Sequence, residues 1–429
     1  MKIQVNHIGK MEGHTDFVAQ ILGNNVKQAK FITTEGSRLI EGLLVGRHYY
    51  DAPIITARIC GICPVVHNLT SIKAIENALG LQPTNQTILL RKLMQYGQII
   101  HSHGLHLFFL SLPDFFDLNN DLKFVKKYPV ETQAAMRLRD FGLKLLALIG
   151  GRAIHPIASE VGGFKKYPDL AKLKNLNQQI PELLTDAKNI FNLTQKIKYP
   201  VIKRHTEFIA LKDKTEYAIY QGDLVSTNAL HIPAEKYAQV IKEIQKPYEA
   251  AKRAEYLGGT FMVGALARIN NNHQQLNPLA KKLLRSLAWD FPVYNTFMNI
   301  PAQAIEIVHL LEECQKLLNN FNTQGLKVEV SQAQKLKLIG WANPLGKTTA
   351  GVGAIEAPRG TLYHHYLINR DGIIEQADII TPTVQFLDNI EEDIKVYLPN
   401  ITKLKPHDRQ IKIRALIRAY DPCISCATH

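Results

Sequence analysis

The sequence contains no run of about 18 uninterrupted apolar residues, so it predicts no membrane span. Its opening residues, MKIQVNHIGKMEGH, lack the basic-then-apolar order of a secretory leader. The chain is therefore expected in the cytoplasm, unless a partner subunit supplies a targeting signal. No low-complexity tract and no internal repeat stands out, which argues against a repeat array. No glycine-rich nucleotide-binding motif is present either. Acidic residues are outnumbered, 38 against 51 Lys and Arg, for a net charge of +13. Such a balance suits nucleic acid, an anionic membrane or an acidic protein partner. The lysines are scattered, as at Lys165, Lys166, Lys172, Lys174, Lys196, Lys198 and Lys203, with no interleaved aromatics. The reading is a solvated basic face or a docking surface for an acidic partner, and no nucleic acid.

Cysteine is scarce, five residues in 429, and four of the five fall in two pairs. What remains is ordinary for a soluble globular chain: 46% hydrophobic and 21% charged residues, and enough length for a sizeable core. The pattern reads as mainly α with β insertions (α+β), one domain over 1–429 without a clean linker. Residues 1–70 form a β-containing start, in which SRLIEGLLVGRHYY (37–50) reads as a helix with Leu39, Leu43 and Leu44 on one side. Residues 71–200 read as a long-helix bundle. A helix after Cys63 stops at Gly80, and the next starts at Pro83-Thr84. That one carries a seam of Leu89, Leu93, Tyr96, Ile100, His103, Leu107 and Leu110. Helices over 130–151 and 169–197 follow, the latter expected to break near Pro181. Residues 201–232 suggest a small β appendage, 233–327 helices at 234–257 and 297–320, and 328–400 strands carrying loops. The last part, 401–429, is a helix capped by Asp408 and ending in the second cysteine pair.

The pairs stand in RICGICPVVHN (58–68) and DPCISCATH (421–429). Two CxxC pairs can build one four-thiolate site, and soft thiolates select zinc, iron–sulfur, nickel or copper(I). Structural zinc is the commonest use, but its pairs lie about 15–20 residues apart because they staple a small local fold. Here 359 residues separate Cys63 from Cys423. Such a site needs the whole fold to assemble, which suits a catalytic centre between helices. A dithiol redox pair would open a helix in a βαβ setting, which neither pair has. The fifth, Cys314 in HLLEECQKLL, reads as a buried small hydrophobe.

These stretches resemble the N- and C-terminal cysteine signatures of the large subunit of nickel–iron hydrogenases. Further similarities fall between them in order: MEGH (11–14), EGLLVGR from Glu41 to Arg47, SHGLHLFFLSLPD (102–114), GGRAIHP followed by VGGF, GVGAIEAPRGTLYHH (351–365) and ITPTVQ (380–385). The resemblance runs from residue 11 to residue 429. It implies the fold of that subunit and a reversible heterolytic cleavage of H2. It also implies a nickel–iron centre on Cys60, Cys63, Cys423 and Cys426, the first and third terminal on nickel, the other two bridging to an iron that carries cyanide and carbon monoxide. Glu12 matches the proton-transfer glutamate, beside the thiolate of Cys423. Arg359, in APRG, matches the arginine over the open metal position, and Asp114 a buried partner for it. Pro382 and Thr383 match the cyanide-binding position, although Phe386 stands where the family often has Asn. His67 matches a residue that tunes a bridging sulfur. Glu41 and the terminal His429 match the ligands of a magnesium or iron(II) ion near the C-terminus. His101, His103 and His106 lack a fourth ligand for zinc and read as cavity-lining or proton-carrying, and His155 as a turn.

Electrons must leave such a centre, and no cysteines remain here for an iron–sulfur cluster. The resemblance therefore implies a cluster-bearing small subunit, with flavin or NAD(P) subunits beyond it. A hydrogen-sensing regulatory subunit and a non-catalytic structural metal protein are the alternatives.

Overall fold

The computed structural model describes residues 1–22, 25–116 and 121–429. Four long helices, Asn85–Leu105, Pro129–Gly150, Leu170–Gln195 and Asn299–Gln324, pack side by side in a closed ring. Thr84 begins the first by accepting a hydrogen bond from the Thr87 amide at 3.2 Å, and Asp169 begins the third by accepting from Ala171 at 2.8 Å. Every residue from Leu90 to Gly104 is buried, so the first helix is enclosed on all sides rather than amphipathic. It crosses the second at Gly97 and Gly142. A Cβ on Gly142 would stand 2.5 Å from the Gly97 carbonyl oxygen, so the two backbones touch directly.

The helix Pro64–Leu79 ends at Gly80 in the left-handed region, as its sequence predicts. It lies under an antiparallel sheet of Thr349–Ala357, Gly360–Ile368 and Ile374–Ile380. A second antiparallel sheet, Lys2–Val5, Thr15–Leu22 and Asn25–Thr33, opens the chain. The four-stranded sheet of Glu207–Lys212, Asp223–Ser226, His231–Ile232 and Phe261–Met262 is not an appendage. Phe208, Ile209, Ala210 and Leu211 are fully buried against the helix Ala265–Asn272.

Several local expectations are corrected. Leu170–Gln195 runs unbroken through Pro181, because packing on two neighbouring helices holds both flanking turns and the ring removes only one ladder bond. Residues 234–257 form a 3₁₀ turn and a hairpin of Ile241–Gln245 with Lys252–Tyr256, since Pro247 cannot continue a helix. In 37–50 only Ile40–Leu44 and the 3₁₀ turn Tyr49–Asp51 are helical, and Gly46 breaks the run at φ +83°. Within the stretch read as strands and loops, Pro382–Ile401 is a helix. The last long helix, Pro406–Ala419, is led by Lys405 and Pro406, with Asp408 inside its first turn.

Candidate metal centre

Cys60 and Cys63 sit in the tight turn that leads into the helix Pro64–Leu79, where Pro64 fits the first helical position. Gln98 pins that turn from the bundle. Its amide donates to the Ile62 carbonyl, and its oxygen accepts from the Val65 amide at 3.2 Å. The other pair arrives from the far end of the chain. Asp421 turns the backbone at φ +57°, and Cys423 precedes a single helical turn, Ile424–Ala427. This end is not frayed. The Ile424 amide donates to the Glu12 carbonyl at 2.9 Å, the Arg38 amide to the Thr428 carbonyl at 2.7 Å, and His429 is buried.

The result is one buried cluster. Sγ–Sγ distances are 3.3 Å for Cys60–Cys423, 3.2 Å for Cys63–Cys426 and 3.1 Å for Cys423–Cys426. All four sulfurs lie within 4.8 Å of one another, beyond a disulfide's bonding distance of about 2.05 Å, and all four cysteines are free. Hydrogen bonds from the other thiols, Cys423 first, hold Cys60 well below the ordinary thiol range. Burial pushes Cys423 and Cys426 well above it. Four thiolates therefore cannot coexist here without a cation to balance them.

Arg359 closes one wall. Its Nε donates to the Asp421 carbonyl at 2.7 Å and its Nη2 to Asp421 Oδ1 at 2.8 Å, while its buried Nη1 has no partner among the described residues. Burial opposes the charge, but Asp421 and the thiols together keep the guanidinium protonated. A narrow pocket beside it is lined by Cys63, His67, Pro358, Arg359, Pro382, Thr383 and Cys426, among others. Thr383 Oγ1 accepts from the Cys423 amide at 3.1 Å, so the helix start and the cysteine turn share one anchor. A soft donor set, an unsatisfied buried donor and an adjoining pocket fit a sulfur-ligated metal centre with small ligands.

Glu12 meets Cys423 from the opposite side. Its Oε2 lies 3.1 Å from the sulfur and accepts from the Ser425 amide at 2.8 Å, while its Oε1 accepts from the Ser425 hydroxyl. His67 Nε2 is 3.7 Å from Cys426 Sγ, and its Nδ1 is 3.3 Å from His364. Burial pulls His67 down to about 3, so it is neutral.

Asp114 is the correction at this site. It binds Arg418 at 2.5 Å and faces Lys10 at 3.9 Å, not Arg359. The arginine's partner is Asp421, two residues before the second cysteine pair, where DPC offered the signal. The histidines of the SHGLH stretch do not converge. His103 binds Glu306 at 2.8 Å, and His106 bridges Gln303 at 2.6 Å and the Arg418 carbonyl at 2.7 Å. His155 Nδ1 lies 2.9 Å from the Ala57 carbonyl in a turn at φ +54°.

At the chain end, His429 Nδ1 lies 2.6 Å from the Cys426 carbonyl and Nε2 2.7 Å from the Ile379 carbonyl. Burial lowers this histidine, and a neutral imidazole has one N–H for two carbonyls. Glu41 Oε1 lies 3.9 Å from Nε2, so a cation among the three would relieve the mismatch. Glu41 Oε2 and Glu243 meanwhile share the Lys252 ammonium at 2.6 and 2.9 Å, and Asp378 completes a second acidic cluster.

A family model described as nickel-dependent hydrogenase matches residues 38–137 and 203–429. The sulfhydrogenase 1 subunit alpha of Pyrococcus furiosus is 32% identical, with 100% of this chain and 98% of that protein covered. The NAD-reducing hydrogenase HoxS subunit beta of Cupriavidus necator is 28% identical, with 100% and 94% covered. Among solved structures, an NAD+-reducing NiFe-hydrogenase in the H2-reduced state superposes with a TM-score of 0.88 at 25% identity, with 100% of this chain and 99% of that chain covered. A NiFeSe hydrogenase from Desulfovibrio vulgaris Hildenborough shares the fold at a TM-score of 0.82 and 22% identity, covering 100% and 99%.

Proposed function

The chain belongs to the nickel-dependent hydrogenase family, as the large subunit at which H2 is activated, and we propose how its own residues divide that work. Cys60, Cys63, Cys423 and Cys426 would together hold the nickel–iron pair. When bound, that pair supplies the soft, redox-active centre at which H2 is split heterolytically. Arg359, Pro382 and Thr383 would cradle the iron's cyanide and carbon monoxide, with Arg359 Nη1 as a free donor. Asp421 fixes the guanidinium, and His67 steadies the Cys426 sulfur.

The proton leaves by the other side. A proton on Cys423 Sγ has Glu12 Oε2 within hydrogen-bond reach, and Ser425 holds both carboxylate oxygens in place to receive it. This contact carries the reading, because it places a carboxylate directly on a sulfur of the cluster. Glu41, His429 and the Ile379 carbonyl would hold magnesium or iron(II), tying down the chain end that carries Cys423 and Cys426.

Electrons need a partner. Cys314 is buried in a helix and unavailable to a cluster. Around the first cysteine turn the surface is apolar instead: Leu39 is 69% and Leu43 53% exposed, with Val45, Ile54, Ile154 and Ile157 also exposed. Arg38 reaches the Ile59 carbonyl and His155 the Ala57 carbonyl, which groups these residues around that turn. We assign this face to a cluster-bearing small subunit, and the final acceptor to a soluble carrier such as NAD(P) bound on a further subunit. The site of action is the cytoplasm. Dye-linked H2 oxidation by the purified complex tests the assignment: the wild type turns over, and Cys423→Ser abolishes turnover together with nickel binding.

A further inference from the structure

The second arginine near the pocket, Arg268, is fully buried and touches none of the four cysteines. It stands in VGALAR (263–268), at the start of the helix Ala265–Asn272. Its Nε and Nη2 grip Glu306 at 2.7 Å each. Its Nη1 donates to Glu356 at 3.0 Å and to the Ala357 carbonyl at 2.9 Å, and its Nη2 also donates to the Pro358 carbonyl at 3.0 Å. The two carbonyls are those of the residues immediately before Arg359.

The backbones of the two segments are in contact as well. Gly264, at φ +108°, leaves room where a Cβ would stand 3.1 Å from the Arg359 carbonyl oxygen. A Cβ on Gly360 would enter Val263 at 2.3 Å. The clamp is itself anchored. Glu306 accepts from the Tyr217 hydroxyl at 2.6 Å and lies 2.8 Å from His103. Asn299, one turn before Gln303 and two before Glu306 on the same helix, accepts from the Leu266 amide at 3.0 Å and donates to the Ala419 carbonyl at 2.8 Å. Gln303 donates to Asp421 Oδ2 at 3.3 Å. Asn299, Gln303 and Glu306 share one helix face, so a single rigid surface holds Asp421 on one side and the seat of Arg359 on the other.

We propose that Arg268, locked by Glu306, is the positioning residue that fixes the backbone beneath Arg359 and so aims its guanidinium at the metal pocket. The inference rests on the role given above to Arg359. Lysine cannot replace it, because one ammonium cannot span a carboxylate and two carbonyls in a fixed fork.

The test is a double-mutant cycle in the complete hydrogenase complex, with nickel and iron content and the infrared bands of carbon monoxide and cyanide recorded for each variant. R268K should keep its metals, lose about 10- to 100-fold in H2 oxidation, and shift or broaden the cyanide bands. In an R359K background the same change should cost less than about twofold, since its target is already gone. Equal losses in both backgrounds, or wild-type rate and bands in R268K, would overturn the inference while leaving the role of Arg359 intact. Wild-type turnover in R359K alone would remove that role, and this inference with it. If R268K does not accumulate as folded protein, Tyr217→Phe, which loosens Glu306 by one hydrogen bond, carries the same cycle with an expected loss of about 2- to 10-fold.

Discussion

Glu12 and Cys423, 411 positions apart in the chain, meet twice: the carboxylate lies 3.1 Å from the sulfur, and the two backbones form a parallel bridge. The bridge matters as much as the contact. It holds the two backbones against each other, so the carboxylate starts within reach of the thiol. The chain's first and last segments complete the site together.

Replacing Glu12 by Gln keeps the shape and can still accept from the Ser425 amide while its NH2 donates to the Ser425 hydroxyl, but it removes the base. The variant should retain its metals and infrared bands, and lose about 100-fold or more in H2/D2 exchange. Unchanged exchange would mean that the proton leaves by another route.

Asp421→Asn and Asp114→Asn should separate by turnover. Asp421 holds Arg359 in a buried ion pair, so its loss should lower turnover by about 10- to 100-fold as well as costing stability. Asp114 holds Arg418, which also donates to the Gly9 carbonyl, so its loss should chiefly destabilise the fold, by about 3 kcal/mol. Thermal unfolding and steady-state rates on the two variants check the division.

Leu43→Asp places a charge on the exposed apolar face beside the first cysteine turn. The chain should still fold, but co-purification of a cluster-bearing partner should fall at least tenfold. Retention of the partner would move the interface elsewhere.

Acid should destabilise the fold in a defined window. Burial pulls both His101 and His309 down to about 4. Between pH 6.5 and 4 the unfolded chain takes up protons that the folded chain refuses, so stability present above pH 6.5 is lost as pH falls through that range. For fully buried His309, which accepts from the Asn277 amide at 3.1 Å, the loss is about 3 kcal/mol at most. His309→Gln can accept the same bond without titrating, so its thermal midpoint should fall less between pH 7 and pH 5 than the wild type's.

The site was legible in the sequence where chemistry is carried by short spacings. The two CxxC pairs could be read from spacing, Glu12 in MEGH and Arg359 in APRG only through the family resemblance, and the fold brings these residues together. Partner choice was not legible. The family resemblance offers Asp114 as a companion for Arg359, but nothing local reveals that Arg418 takes it and that Asp421 serves instead. Arg268 was missed for the same reason, since its bonds go to backbone carbonyls 89 and 90 positions away. Helices were readable where apolar periodicity was long, as in the bundle. At 241–256 the charged IKEIQ and KRAEY passed for helix, because Ile241 and Ile244 stand three apart, a helical spacing, and a two-stranded ribbon and an exposed helix share that composition.

The most direct test is metal analysis joined to infrared spectroscopy on the purified complex. The account predicts about one nickel and one iron per large-subunit chain, with bands from carbon monoxide and cyanide that protein alone does not give. About one zinc per chain, with no nickel and no such bands in a fully metallated sample, would contradict it.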